Sequence, residues 1–421
     1  MTLGSPNAVK VAGGFRMADH KVKCWDCGAD VDDPYVNTCP KCNGLLTVKM
    51  DLEPVKEMKP QDLHSVPIGV WRYAPFMPVD VSNKVSIQEG GTPLYATGAL
   101  GKELSVPDLH VKFEGLNPTG SFKDRGMTIG VSHAKELGAK VVGCASTGNT
   151  SASLAAYAAK AGMKCAVFLP SGKVAAGKLA QALFFGAKVL SIDGNFDDAL
   201  DLARKMADER KLYLLNSINP YRPEGQKSVL FEIMDQLKYN IPDRIILPVG
   251  NAANIWAVYK AIQELKEVGW INKTPMLTGI QAEGSAPVTR AFEAKKADFI
   301  PEENPETIAT AIRIGNPVSG RKALKAIYDT GGYSITVTDE EIIKAQQLLG
   351  KMEGVCVEPA SAASIAGLRK LKDLGIVDRN EKVVCICTGN GLKDPDTIIK
   401  NSSSPINCEN SVSAVEKILS E

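Results

Sequence analysis

A single lysine, Lys123, follows a turn of proline and glycine in the segment PTGSFKDRG, which begins at Pro118. Proline and glycine interrupt regular structure, so we expect Lys123 to lie where a loop gives way to a helix. A lysine that is partly buried at such a junction has a lowered pKa, and its neutral amine can attack a carbonyl group. The alternative is a solvated surface lysine, which is the usual environment of this residue type.

Four of the ten cysteines form two CxxC pairs near the N-terminus, Cys24 with Cys27 and Cys39 with Cys42. Two CxxC pairs separated by a short polar loop are typical of a zinc ribbon, in which four thiolates hold a structural Zn²⁺. Catalysis by the metal is not expected, because four thiolates leave no coordination position for a substrate. The alternatives are a redox pair or four unliganded thiols.

Three further segments place small or polar residues at the ends of predicted strands. The run STGNTSAS, from Ser146 to Ser153, lies before a helix, where hydroxyls and free N–H groups form an anion site. The alternative is simple capping of the helix by one hydroxyl. The small residues from Gly250 to Asn254 form a second, weaker candidate of the same kind. Thr388 offers a hydroxyl at the end of a third strand.

The elements that position these residues form an alternating series of short apolar strands and helices. From residue 140 the pattern predicts a strand at 141–144, a helix at 149–161, three further strands up to residue 215 and a restart with a helix at 228–237. Short apolar strands between helices are typical of a parallel sheet that is covered on both faces. We therefore predict an α/β fold of two doubly wound units.

The predicted organisation places a flexible tail and the ribbon before the α/β body. A proline-rich connector from residue 50 to residue 82 is expected to have little regular structure, and the segment after Asn401 to form a loop with one short helix. The predicted segments are residues 1–20 for the tail, 21–48 for the zinc ribbon, 49–130 with 218–421 for a large domain, and 131–217 for a small domain.

The composition excludes several classes of function. The formal net charge is +1, from 49 basic and 48 acidic residues, which argues against binding to nucleic acid or to a membrane surface through bulk charge. No run of about 18 apolar residues is present, so no transmembrane helix is expected. The remaining cysteines are scattered, several of them within apolar strands, and this distribution favours the reducing cytoplasm.

Taken together, these segments resemble the pyridoxal-phosphate enzymes of the tryptophan-synthase-β fold, also called fold type II, and within them the threonine synthases. The resemblance runs from about Gln88 to Pro395. The paired CxxC segment resembles the zinc ribbon at the N-terminus of some archaeal and bacterial members. The shared motifs are EGGTP at 89–93, PTGSFKDRG at 118–126, STGNTSAS at 146–153, NSINPYR at 216–222, AIRIGNP at 311–317 and EPASAA at 358–363.

The resemblance implies a role for each cofactor-binding residue. Lys123 would carry pyridoxal 5'-phosphate as a Schiff base and move protons, Asn149 would bind the cofactor's phenolic oxygen, and Thr388 would meet its pyridine nitrogen. Family members commonly have a glycine where this chain has Ala253, and alanine would be costly there if that position needs a positive φ. The backbone that would bind the cofactor phosphate belongs to Gly250, Asn251, Ala252, Ala253 and Asn254.

The resemblance also implies the substrates, O-phosphohomoserine and water, and the products, threonine and phosphate. The substrate phosphate needs a second anion site, for which Lys178 and Arg222 are the candidate cations. Taken alone, Lys178 is equally compatible with a solvated helix residue and Arg222 with a surface ion pair. Candidate neutral donors to the substrate are Ser146, Thr147, Thr150 and Asn216.

Three other functions are weighed against threonine synthesis. Cysteate synthase, which combines phosphoserine with sulfite, has the same fold and also needs a phosphate site. A threonine dehydratase-like lyase has the same fold but needs no pair of phosphate-binding cations. A zinc-ribbon binding module on an inactive enzyme is disfavoured, because Lys123 is present. The family expectation for the assembly is a homodimer.

Overall fold

The computed structural model describes residues 19–171 and 176–420, and for residues 176–178 and 196 it describes the backbone alone. Most of the predicted flexible tail, residues 1–20, lies outside these ranges. His20, the last residue of that predicted tail, is paired with Met50 in a strand. None of the described helices combines the length and apolar character that are needed to cross a membrane.

Strands and helices alternate along most of the described chain, as predicted for an α/β fold. The predicted helix at 149–161 is confirmed as α4, and the one at 228–237 ends one residue beyond α8. In chain order the strands are β1 His20–Cys24, β2 Leu46–Met50, β3 Leu94–Ala96, β4 Leu109–Phe113, β5 Val141–Ala145, β6 Lys164–Pro170, β7 Lys188–Ile192, β8 Tyr213–Leu214, β9 Arg244–Pro248, β10 Met276–Ala282, β11 Tyr333–Val337 and β12 Val383–Cys387. The helices are α1 Glu53–Lys56, α2 Gly98–Glu103, α3 Lys123–Glu136, α4 Asn149–Ala161, α5 Ala176–Phe184, α6 Phe196–Asp208, α7 Arg222–Gln226, α8 Ser228–Gln236, α9 Ala253–Glu267, α10 Pro287–Glu293, α11 Gly320–Asp329, α12 Asp339–Glu353, α13 Pro359–Asp373, α14 Pro395–Lys400 and α15 Val412–Ser420.

The N-terminal strands form a unit of their own, the four-cysteine unit, which we define as residues 20–50. Strands β1 and β2 pair antiparallel, from His20 opposite Met50 to Cys24 opposite Leu46. The two CxxC turns lie at the end of this ribbon. The strand pair therefore runs slightly beyond the predicted limits of 21–48 at both ends.

The connector after the four-cysteine unit is more ordered than predicted. Besides α1 it contains three stretches of 3₁₀-helix, at Pro60–Ser65, Val70–Phe76 and Val81–Asn83. The prediction of little regular structure was wrong here because the side chains of Trp71 and Phe76 are buried in the core. Aromatic packing, rather than an apolar repeat, fixes this segment.

The larger sheet has six strands in the order β11-β10-β9-β12-β4-β3. All neighbouring pairs are parallel except β3 with β4, which is antiparallel at one edge. Ile245 and Leu247 of β9 belong to one apolar cluster, and Ile246 between them belongs to the cluster on the other side. Both faces are therefore covered, as predicted for a doubly wound sheet.

The smaller sheet has four parallel strands in the order β7-β6-β5-β8. Its strands lie within the predicted small-domain segment, residues 131–217, although the predicted boundaries themselves stay predictions. At the edge of this sheet, β7 is partly exposed along its length, with its lysine in solvent. An edge strand has only one neighbour, and this one is also less covered by helices.

Candidate active site

Lys123 is the first residue of α3, at the junction between a loop and a helix, and its loop is held against the end of β12. The N–H of Phe122 donates to the carbonyl of Thr388 at 3.0 Å, and Ser121 forms an isolated antiparallel bridge with Gly389. The carboxyl end of a strand in a parallel sheet is the place where such folds bind ligands. The structure therefore brings the predicted Schiff-base lysine next to the predicted pyridine contact.

The environment of Lys123 favours its neutral amine. Burial, together with the positive charge of Arg222, lowers the pKa of Lys123 to about 7, and the opposing effect of Glu358 is smaller. Its Nζ atom lies 4.1 Å from the centre of the Phe122 ring. An amine with this pKa is a nucleophile at neutral pH, as attack on a carbonyl requires.

This pKa predicts how the cofactor-free protein captures pyridoxal phosphate. The rate should rise about ten-fold per pH unit below pH 7 and level off above it, because only the neutral amine attacks. Replacing Arg222 by methionine removes a positive charge that disfavours the ammonium form, so the midpoint should move to higher pH. The growth of cofactor absorbance in stopped flow measures both curves. A midpoint near 10.4, the value of an exposed lysine, would contradict the assignment.

Arg222, whose charge acts on Lys123, has unused hydrogen-bond donors. Its side chain is buried, and its Nε and Nη1 atoms have no hydrogen-bond partner among the described residues. Burial lowers the pKa of Arg222 to about 10, so the guanidinium still carries its charge at neutral pH. A buried guanidinium without partners is costly unless a ligand supplies them, and phosphate suits its fork of donors.

Glycines allow α3 and α7 to pack closely. A Cβ on Gly126 would come within 3.0 Å of the carbonyl oxygen of Arg222. At Gly225, one turn along α7, a Cβ would lie 1.7 Å from the carbonyl oxygen of Arg125. This close packing brings the N-terminal half of α3 against α7.

Asn149, the first residue of α4, faces a carboxylate that we did not predict as part of the site. Its Nδ2 lies 3.2 Å from both carboxylate oxygens of Glu358. Glu358 is buried, and burial raises its pKa. A Cβ on Gly389 would lie 2.4 Å from Glu358 Oε1, so a larger residue there would displace this carboxylate. The signal in the sequence was the acidic residue before Pro359, which was recognised only as part of a motif.

Thr388 is oriented by a second residue that we did not predict. Its hydroxyl lies 3.0 Å from the hydroxyl of Ser361, which also accepts the N–H of Gly389 at 2.7 Å. Ser361 belongs to the first turn of α13, in the same motif as Glu358. The hydroxyl of Thr388 thus has a fixed neighbour at the carboxyl end of β12.

The predicted phosphate loop, residues 250–254, connects β9 to α9. Ala252 has φ +67°, whereas Ala253 is the first residue of the helix. The left-handed conformation therefore falls on Ala252, one position before the residue at which the sequence raised the question. A Cβ on Gly250 would come within 3.1 Å of the Ala311 carbonyl oxygen.

The start of α9 has the donors that an anion requires. No side chain caps the helix, which leaves its first N–H groups free, and the Nδ2 of Asn254 is buried without a partner among the described residues. A helix N-terminus with free N–H groups attracts a phosphate. Together with Lys123, these residues fit the aldehyde and phosphate groups of pyridoxal phosphate.

The remaining predicted substrate donors lie around the ends of β5 and β8. Asn216 uses both ends of its amide on Ala145, accepting from its N–H at 2.9 Å and donating to its carbonyl at 3.0 Å. The hydroxyl of Ser146 accepts the Gly148 N–H at 3.3 Å. Thr147 is partly buried and Thr150 is buried in the same turn. The side chain of Lys178 lies outside the described residues, so its role stays a prediction.

A network of buried charges behind the loop explains the EGGTP motif, for which no cofactor contact is predicted. Arg125 pairs with Glu114 at 2.5 Å and with Glu232 at 2.7 Å, and all three side chains are buried. Thr92 donates to Glu114 at 2.6 Å, and the N–H of Gly91 donates to Glu232 at 2.9 Å. This network fixes EGGTP against the segment that precedes Lys123.

The four predicted metal ligands converge in the four-cysteine unit. Their sulfur atoms all lie within 4.8 Å of one another, with 3.5 Å between Cys24 and Cys42 and 3.7 Å between Cys27 and Cys39. A tetrahedral Zn²⁺ with bonds of about 2.3 Å would separate its sulfur ligands by roughly 3.8 Å. The thiols therefore have the chemistry and the spacing that fit one zinc ion.

Solved structures of known proteins share this fold. A threonine deaminase from Solanum lycopersicum superposes with a TM-score of 0.65 at 21% identity, covering 80% of this chain and 95% of that one. Maize serine racemase superposes with a TM-score of 0.63 at 22% identity, covering 73% and 90%. These superpositions support the predicted fold. At identities this low they give no information about the reaction.

Sequence relatives are much closer. Threonine synthase of Methanocaldococcus jannaschii is 58% identical over 402 residues, which is 95% of this chain and 99% of the relative. That of Methanosarcina acetivorans is 55% identical over 95% and 98%, and that of Mycobacterium tuberculosis 54% identical over 79% and 91%. Residues 85–389 match the family described as pyridoxal-phosphate dependent enzyme. The chain therefore belongs to the pyridoxal-phosphate dependent enzymes and, within them, to the family of the threonine synthases.

Proposed function

We propose that this enzyme is a threonine synthase, which converts O-phosphohomoserine and water into L-threonine and inorganic phosphate. The observation that carries the proposal is the 58% identity to a threonine synthase over 95% of the chain. The site supports it, because a buried arginine with unused donors lies beside a lysine of lowered pKa. The first group suits a substrate phosphate and the second suits proton transfer.

The reaction exchanges a phosphate at the γ-carbon for a hydroxyl at the β-carbon. The α- and β-carbons each lose a proton, and the C–O bond at the γ-carbon breaks so that phosphate leaves with the electron pair. The hydroxyl of water adds at the β-carbon, the α- and γ-carbons each gain a proton, and the remaining proton of water goes to the released phosphate. Pyridoxal phosphate, when bound, supplies an electron sink that acidifies the substrate's α-carbon. The amine of Lys123 is the group in this site with a pKa near 7, so it can accept a proton at Nζ and return it.

The other site residues orient the reactants and tune the electron sink. Arg222 would bind the phosphate and stabilise its charge as it leaves, and Lys178 is the predicted second cation. Asn149 would donate to the cofactor's phenolic oxygen, and Glu358 would keep its amide turned toward the cavity. Thr388 would offer the pyridine nitrogen a neutral hydroxyl, which need not protonate it. An unprotonated nitrogen withdraws fewer electrons than a protonated one and leaves charge available toward the β- and γ-carbons.

The proposal is tested by comparing kcat/KM on three substrates. We expect equal amounts of threonine and phosphate from O-phosphohomoserine in water. Phosphoserine with sulfite should react at least about a hundred-fold less efficiently, since its shorter chain holds the phosphate away from Arg222. Preference for phosphoserine with sulfite would identify a cysteate synthase, and preference for threonine itself would identify a dehydratase.

We also propose a structural zinc ion on Cys24, Cys27, Cys39 and Cys42, supported by their sulfur spacing. Freshly purified protein should contain about one zinc per chain. The Cys27→Ser variant should lose the zinc and unfold at lower temperature, while its cofactor absorbance stays, because the metal contributes to folding rather than to chemistry. Elemental analysis and thermal melts measure this.

The matched control for the zinc experiment is Cys408→Ser, which replaces an exposed cysteine outside the cluster. It should retain the zinc and the melting temperature of the wild type. Zinc-free protein with four thiols that all react with a thiol reagent would contradict the proposal.

Two further parts of the proposal concern the assembly and the compartment. We propose that two copies associate, supported by exposed apolar side chains such as Leu116, Leu392 and Ile399. We propose the cytoplasm as the compartment, because four reduced thiols are needed for a zinc site and a reducing environment maintains them. Sedimentation of the purified protein and fractionation of cells test these two parts.

A further inference from the structure

The carbonyl groups of β2 accept hydrogen bonds from one buried and one partly buried lysine of the large sheet's helices. Lys322 of α11 donates to the Leu46 carbonyl at 3.0 Å, and Lys260 of α9 donates to the Val48 carbonyl at 2.5 Å. The ring of Trp25, next to Cys24, meets that of Trp256 edge-on with centres 6.2 Å apart. The four-cysteine unit is thus fastened to the α/β body by backbone acceptors in β2.

One of these lysines connects the four-cysteine unit to the helix of Arg222. The ammonium of Lys260 also pairs with Glu224, which lies in α7 two residues after Arg222. Glu224 is buried and has a second partner in Lys227, at 2.7 Å. A path of direct contacts therefore leads from β2 through one ammonium group to α7.

A second contact reaches the residue next to Arg222. His20 of β1 lies 3.4 Å from the hydroxyl of Tyr221 through its Nε2, and the two rings meet edge-on. On its other face Tyr221 stacks on His133 of α3, with ring centres 3.5 Å apart. Tyr221 therefore lies between the four-cysteine unit and the helix that begins with Lys123.

The other end of the four-cysteine unit contacts the small sheet and the end of α3. Tyr35, between the two CxxC pairs, donates to the Leu137 carbonyl at 3.4 Å, and its ring meets that of Tyr213 in β8 at 5.9 Å. Asp33 pairs with Arg210 at 2.9 Å. The unit thus spans from the helices of the large sheet to those of the small sheet.

The part of the four-cysteine unit around the cysteines has only a small apolar core of its own. Its apolar cluster contains four buried residues, and two of them, Cys24 and Cys39, are metal-ligand candidates. Small domains with so little apolar burial need a metal or a disulfide for stability. The loop that carries Tyr35 and Asp33 lies between these cysteines, so its order depends on them.

We propose that the metal-loaded four-cysteine unit is the positioning element for the substrate-phosphate site: it holds α7, and with it Arg222, against α3. The proposal rests on the proposed function, in which Arg222 binds the substrate phosphate. Lys260 and Tyr221 are the positioning residues, since they contact the unit on one side and the helix of Arg222 on the other. Loss of the metal weakens phosphate binding without removing any residue that contacts the phosphate.

The test uses cofactor-loaded enzyme and inorganic phosphate as the probe, with its Kd from calorimetry. Removing zinc with a chelator should weaken phosphate binding about ten-fold, and adding zinc back should restore it. Lys260→Met should have a similar effect on phosphate and on the KM for O-phosphohomoserine, with a smaller change in kcat. Hydrogen exchange in residues 222–226 should accelerate in both cases, while the cofactor absorbance stays unchanged.

The matched control is Lys266→Met, the same replacement on the same helix at an exposed lysine that donates to the hydroxyl of Thr274. It should bind phosphate like the wild type. If Arg222→Ala leaves phosphate binding unchanged, the proposed phosphate site is wrong. If Arg222→Ala abolishes binding but verified zinc removal changes neither the Kd nor the exchange of 222–226, the positioning role is wrong and the phosphate site stands. If Lys260→Met does not fold, the measurements with and without zinc still test the positioning role.

Discussion

Replacing Arg222 by alanine is expected to lower kcat/KM for O-phosphohomoserine roughly thirty- to a thousand-fold, or about 2–4 kcal/mol of transition-state stabilisation. The reason is that the leaving phosphate loses a buried, charge-assisted donor whose Nε and Nη1 have no protein partner among the described residues. The cofactor absorbance should persist, because Lys123 and the loop at 250–254 are untouched. Steady-state kinetics with phosphate detection measures the loss.

The control for Arg222 is Arg204→Ala, which removes an arginine from an exposed ion pair on α6. Exposed pairs contribute little, so this variant should keep nearly the full kcat/KM. An intermediate value is expected for Arg222→Lys, which retains a charge but lacks the fork of donors. Near-normal efficiency of Arg222→Ala would place the substrate phosphate elsewhere.

Replacing Lys123 by alanine is expected to lower turnover by about four orders of magnitude, the upper range for one positioned proton-transfer group. The variant also loses the amine that we expect to bind the cofactor covalently. Borohydride should then no longer fix the cofactor to the chain, which mass spectrometry of the peptide around residue 123 detects. Both losses have the same cause, since the Lys123 amine is the partly buried nucleophile with a pKa of about 7.

A lysine on the exposed side of the same helix provides the control. Lys135→Ala removes an amine near the end of α3, where the side chain is exposed. This variant should keep turnover and the borohydride-fixed cofactor. Substantial threonine formation by Lys123→Ala would show that another group carries the proton transfer.

The sequence pattern was sufficient for the α/β class and for the residues with the strongest chemistry. Lys123 and the paired cysteines were recognisable because a turn of proline and glycine, and a repeated CxxC, constrain the local backbone. Helix α4 was predicted with its bounds because its strand, turn and alanine-rich face are all local features.

Contacts between distant segments could not be predicted in the same way. Glu358 meets Asn149 across 209 residues, and Ser361 meets Thr388 only because the start of α13 packs beside β12. Strand β4 was missed because Lys112 interrupts its apolar run, whereas in the fold this lysine is buried and pairs with Glu232 at 2.9 Å. A charged residue in a sequence is usually predicted to be exposed. A buried ion pair is an exception that the sequence pattern alone does not reveal.

Backbone conformation was the other feature that could not be predicted from residue types alone. The predicted phosphate loop was placed correctly between a strand and a helix, but the positive φ belongs to Ala252 rather than to Ala253. Which residue of a tight turn adopts the left-handed conformation depends on where the following helix begins. Here the helix begins at Ala253, so the left-handed residue is Ala252. The alanine at 253 lies in the helix, where it is favourable.

The most direct test of the account is the fate of solvent oxygen during turnover of O-phosphohomoserine in H₂¹⁸O. A threonine synthase breaks the C–O bond at the γ-carbon and adds water at the β-carbon, so mass spectrometry should find one ¹⁸O in threonine and none in the released phosphate. Homoserine as the product, with ¹⁸O in the phosphate, would mean simple hydrolysis of the P–O bond and would contradict the assignment.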